Sequence, residues 1–248
     1  MKVKLKYIGS SILITLSFVF GIGIISSIGM MVMKNSLEHV ALISGIAQVL
    51  YLLLVIFIFK VKNVDIQKTY GLKLVSFKEY LLPVIAAFCF SAFSNIVQAI
   101  APIPQGLIGG MSDDMEKNIV AYILSVFIVA PIVEEFVFRA LIITKLHKEI
   151  STAISIIISA ILFALIHFMA GGIITVVHAF LGGLIFALAY VKTKSLFPAI
   201  VAHIFGNIGG YVPTVINSLS ITIQYVIAVV FLIITIVLCV ILTRIKEN

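Results

Sequence analysis

The sequence predicts an all-α fold, a polytopic membrane bundle of about eight transmembrane helices, and three observations lead there. Apolar residues make up 62% of the 248 positions and charged ones only 11%, far below the charge of a soluble domain, so too little polar surface exists to solvate a globule. The apolar residues fall in runs near the ~20 residues that a span requires, separated by short charged patches. The lysines and arginines lie in those patches, which makes the net charge of +7 a topology signal. Such a distribution argues against nucleic acid as a partner and names the lipid bilayer instead.

The first run, 8–33, follows a basic stretch that includes Lys2, Lys4 and Lys6. It is too long for a signal-peptide core and ends without a small-x-small cleavage site, so it reads as a retained span. Further spans are expected at 40–59, 81–100, 119–141, 150–169, 173–191, 195–212 and 221–242. The stretch from 150 to 212 is broken only by Ala170-Gly171-Gly172 and Lys192-Thr193-Lys194.

Charge tests this count. With a cytoplasmic N-terminus, the inside segments carry Lys60, Lys62, Lys68, Lys73, Lys78, Lys145, Lys148, Lys192, Lys194, Arg244 and Lys246. The outside loops carry only Lys34 and Lys117, beside Glu38, Asp113, Asp114 and Glu116. Every loop then obeys the positive-inside rule, and the expectation is a multi-pass protein of the cell membrane with both termini cytoplasmic. One membrane domain, 1–248, suffices. The basic segment 60–79 reads either as a solvated loop or as an interfacial helix on anionic lipid. Cys89 and Cys239 both lie inside apolar runs and form no framework or CxxC site.

Ionisable groups at membrane depth are costly and mark function. Span 4 holds Glu134, Glu135 and Arg139, in APIVEEFVFRA. Glu135 and Arg139 share a helix face at i, i+4 and can pair, whereas Glu134 is rotated by about 100° and is left for chemistry. Arg139 lies toward the cytoplasmic end, where its long stem is expected to snorkel. Pro131 removes a backbone donor one turn earlier and is expected to kink the helix. His167 closes span 5, while His203 and Asn207 share a face of span 7, beside a stripe of Ala202, Gly206 and Gly210 that would let a neighbouring helix approach. His178, in span 6, reads as a structural hydrogen bond.

These side chains can converge only inside a bundle, where Glu134, His167, His203 and Asn207 are expected to line one cavity. A carboxylate beside an imidazole can deprotonate water, and a second imidazole with a carboxamide can donate to a developing oxyanion. No serine or cysteine has the setting of a nucleophile, so activated water attacking an amide or ester is the economical reading. Alternatively, Glu134, His167 and His203 could hold a zinc ion with an open position for water. The HExxH signature is absent, and metal-bound and metal-free mechanisms both stay open.

Glu134-Glu135-x-x-x-Arg139, Phe163-x-x-x-His167 and His203-x-x-x-Asn207, in that order on hydrophobic spans, resemble the three motifs of the CPBP intramembrane proteases, the CAAX proteases and bacteriocin-processing enzymes also called the Abi family. The proline before the paired glutamates and the SLFPAIVAH stretch resemble it too. Ala140 departs from the glycine common after the arginine. The resemblance covers roughly 119–210, the expected catalytic core. It implies an eight-helix fold with a cavity open to membrane or cytoplasm. It implies that Glu134 and His167 activate water, that His203 and Asn207 stabilise the oxyanion, and that Glu135 and Arg139 support the site.

The expected function is therefore an intramembrane endopeptidase acting on a membrane-associated peptide or protein. The alternative is a non-enzymatic membrane partner, such as a bacteriocin self-immunity factor. A transporter would show inverted repeats and paired broken helices, and neither is visible. The small size and lack of a targeting extension point to a prokaryotic member, with leader or signal peptides as substrates.

Overall fold

The computed structural model describes residues 2–33, 39–101 and 118–245, and every regular element among them is a helix. In chain order these are α1 (Lys2–Val32), α2 (Val40–Val61), α3 (Ile66–Tyr70) and α4 (Phe77–Ile100). Then come α5 (119–146), α6 (Thr152–Ile166), α7 (Phe168–Thr193), α8 (Leu196–Gly209), α9 (Val212–Ile216) and α10 (Ile221–Arg244). The protein is a polytopic all-α membrane bundle. Among the described residues six stretches are long and apolar enough to cross a bilayer, with α8 and α9 together forming one of them. The outer-loop charges at Lys34, Glu38, Asp113, Asp114, Glu116 and Lys117 lie outside the described residues, as does Lys246.

Each expected span coincides with a helix, but two boundaries move. The break between spans 5 and 6 was expected at 170–172; it falls at His167, which ends α6 and begins α7. Gly172 takes a left-handed φ of 67° within α7, a conformation nearly free of cost only for glycine, so the expected break is one irregular residue inside a helix and not a loop. At 15 residues, α6 extends only ~22 Å, short of the ~30 Å hydrocarbon layer.

The segment 60–79 is neither a free loop nor a long interfacial helix. Asp65 caps the five-residue α3 by accepting from the Lys68 N–H at 3.0 Å. Gly71 ends it at φ 68°, and a Cβ there would lie 2.6 Å from the Lys194 carbonyl oxygen. The Leu196 N–H donates to the Gly71 carbonyl at 3.0 Å, and Ser195 Oγ bonds the Lys73 carbonyl, so this segment is latched to the turn between α7 and α8.

Burial separates core from lipid face. Phe138, Phe163 and Phe186 form a ring-packed centre joining α5, α6 and α7. Outward-facing Leu13 and Phe20 on α1 and Leu53 and Phe57 on α2 stay exposed, as a lipid-facing surface requires. The tightest approach of α8 differs from the expected one. Gly206 has ordinary clearance, whereas a Cβ at Gly209 would come within 2.5 Å of the Phe88 carbonyl oxygen on α4.

Candidate active site

The site is built around α5, whose backbone is not a uniform α-helix. Residues Leu124–Val129 and Phe136–Ile143 run in π register, and Ala130–Glu135 between them is α-helical. Wide π turns leave carbonyls displaced from the usual ladder, and they concentrate at functional sites. Pro131 opens the α-helical stretch and is fully buried. The proline predicts a kink; what the structure shows around it is a change from π to α register and back. The structure also satisfies two of these carbonyls from other helices: Ser159 Oγ donates to the Phe138 carbonyl at 2.7 Å, and Asn207 Nδ2 to that of Val126 at 2.9 Å.

Glu135 and Arg139 form the expected i, i+4 pair, with Arg139 Nε 2.9 Å from Glu135 Oε2. Arg139 does not snorkel. Both side chains are 0% exposed, because α6 and α7 close over that face with Phe163 and Phe186. The guanidinium carbon lies 4.6 Å from the Phe163 ring centre, a cation–π contact that offsets part of the desolvation.

Glu135 has a second partner that spacing on α5 could not reveal. His203 Nδ1 lies 3.0 Å from Glu135 Oε1. A carboxylate paired with arginine accepts only, so His203 Nδ1 carries the hydrogen and its tautomer is fixed. The imidazole is stacked on Phe186 at 4.5 Å and 15° between planes. Its other nitrogen, Nε2, faces Glu134, whose Oε2 is 3.8 Å away. Glu134 keeps 14% of its side chain accessible, against none for Glu135.

His167 sits at the α6–α7 junction, where Nδ1 bonds the Phe163 carbonyl at 2.8 Å. That oxygen only accepts, so Nδ1 carries the hydrogen and Nε2 keeps a free lone pair. His167, His203 and Asn207 line one cavity of about 110 Å³, large enough for several waters. Phe90, Ser91, Phe186 and Gly206 share its wall. Glu134 is not among the lining residues; it reaches the group through His203. His178 bonds Ser94 Oγ through Nδ1 at 2.8 Å, and it also lines the cavity, which its position in an apolar span did not signal. Phe186 was missed as well: one aromatic in an apolar helix carries no mark.

The alternative ligand set of Glu134, His167 and His203 does not come together. Among the described residues no three His, Cys, Asp or Glu side chains are placed to hold a metal ion.

A polytopic helical bundle with paired glutamates, two imidazoles and a carboxamide converging at membrane depth defines a membrane protein with a buried polar centre. Residues 116–209 match the family model described as type II CAAX prenyl endopeptidase Rce1-like. All three motifs fall inside this match, so over that segment the chain is similar to a family of membrane endopeptidases. No curated protein and no solved structure matches.

Proposed function

We propose that the chain is an intramembrane endopeptidase that hydrolyses a peptide bond of a membrane-associated peptide or protein with activated water. One observation carries this reading: His167, His203 and Asn207 share a water-sized cavity, and the more accessible carboxylate of the pair, Glu134, lies beside His203. Glu134 does not line that cavity, so the water it deprotonates lies at the cavity's edge beside His203 Nε2, with the His167 Nε2 lone pair directed at the same cavity. The water oxygen bonds to the scissile carbonyl carbon, and the carbonyl oxygen takes up the negative charge. Asn207 offers its second Nδ2 hydrogen to that oxyanion. His203, held through Nδ1 by Glu135, would complete the oxyanion site when Nε2 carries a hydrogen. The C–N bond then breaks, and the amine leaves with the proton from Glu134. No step is routed through a metal.

Residues 119–210 would form the catalytic core of a single membrane domain, with both termini cytoplasmic. Leader or signal peptides of a prokaryotic cell are the proposed substrate class, in place of prenylated CAAX proteins. The test compares membrane and secreted peptides from cells carrying the parent or Glu134→Gln. Peptides that persist uncleaved only in the variant support the reading. Identical peptide sets, with the variant folded, favour a non-enzymatic partner such as a self-immunity factor.

A further inference from the structure

The carbonyl that holds Asn207 is free because of a proline. In the first π stretch of α5 each N–H bonds the carbonyl five residues back, and the Ala130 N–H reaches the Ser125 carbonyl. The next bond in that register would run from residue 131 to Val126. Residue 131 is proline and has no hydrogen to give. A carbonyl at membrane depth without a donor is strongly disfavoured. Asn207, from α8, fills the place by donating from Nδ2 at 2.9 Å, while its amide stays in the cavity wall.

We infer that Pro131 is a positioning residue for Asn207: it withholds the backbone donor that Val126 would otherwise accept, and so gives the carboxamide a fixed anchor. That anchor makes Nδ2, and not Oδ1, the atom on the α5 side. One Nδ2 hydrogen and Oδ1 are left for whatever enters the cavity. Replacing Pro131 with a residue that has an N–H supplies Val126 from the backbone in either register: from 131 if the π turn persists, from 130 if the helix relaxes to α. Asn207 then loses its preferred partner.

The catalytic consequence rests on the proposed hydrolysis, but the structural one does not, so two measurements separate them. The first is a thermal-melt cycle on the purified full chain with Pro131→Ala, Asn207→Ala and the double variant. Because Pro131 is fully buried, Pro131→Val, closer in volume, is run in parallel. Asn207→Ala should lower the melting temperature clearly in the parent, where it orphans Val126, and much less once residue 131 carries a hydrogen. Equal loss in both backgrounds overturns the inference. So does failure of both proline variants to fold, since proline would then serve the fold itself. The second measurement is cleavage of a reporter peptide. Pro131→Ala should lower kcat by roughly 10–100-fold, as expected for a displaced group, and leave KM nearly unchanged. Parental kcat overturns the positioning role. A parent that cleaves nothing removes the hydrolase reading, while the melt cycle still decides whether Pro131 anchors Asn207.

Discussion

The two adjacent glutamates occupy different environments, and this difference is testable residue by residue. Glu135 is fully buried between Arg139 and His203, at 2.9 and 3.0 Å. Glu135→Gln keeps the shape but leaves Arg139 buried without a counter-charge. Breaking such a pair costs about 3–5 kcal/mol, and no snorkelling route relieves it because Arg139 is 0% exposed. The variant should melt well below the parent and lose activity together with stability. Glu134 is partly accessible and makes no such bond, so Glu134→Gln should melt near the parent. Its turnover should fall by about 10²–10⁴-fold if it is the base. Melting curves run beside reporter-peptide cleavage check both. A well-folded, inactive Glu135→Gln beside an active Glu134→Gln would reverse the assignment.

At the scale of elements, the irregular backbone of α5 is held by side chains from its neighbours. Ser159 on α6 satisfies the Phe138 carbonyl from a fully buried position. Ser159→Ala should cost about 0.5–1.5 kcal/mol by removing a buried second bond to that carbonyl, more than removing an exposed serine would. A melt of this variant against Ser17→Ala, whose hydroxyl bonds within α1 and to Tyr51, gives the comparison. The contact of α8 with α4 is the second sensitive point. Gly209→Ala drives a methyl group to 2.5 Å from the backbone oxygen of Phe88, so the helices must separate. Overpacking of this kind costs about 1–3 kcal/mol. Because α8 carries His203 and Asn207, activity should fall more steeply than the melting temperature. Gly206→Ala, with its nearest neighbour at 3.5 Å, should be tolerated better.

For the whole molecule, the basic segments gather at one end. Lys145 is within electrostatic range of Lys6 and Lys148. Thr144 bonds Tyr190, Tyr190 reaches the Tyr70 carbonyl, and Ser195 bonds the Lys73 carbonyl. Segments far apart in sequence, and each assigned to the inside by charge, therefore meet. If that end is cytoplasmic, a cysteine replacing Lys68 should resist an impermeant thiol reagent applied to intact cells and react after lysis. Labelling from outside would invert the topology.

The sequence by itself determined the membrane class, the positions of the helices and the Glu135–Arg139 pair. These follow from composition and from the 3.6-residue period, both local properties. Its motifs also marked His167, His203 and Asn207 as candidates, and these three share one cavity. Only the tertiary structure decided how they are held. The bond from His203 to Glu135, the anchoring of Asn207 at Val126, the stacking of Phe186 on His203 and the closure over Arg139 all join different helices. Which residues of two helices meet depends on their relative rotation and shift. Those are fixed by the packing of every neighbour at once, and in particular by a close approach at Gly209 that the Ala202–Gly206–Gly210 stripe did not single out.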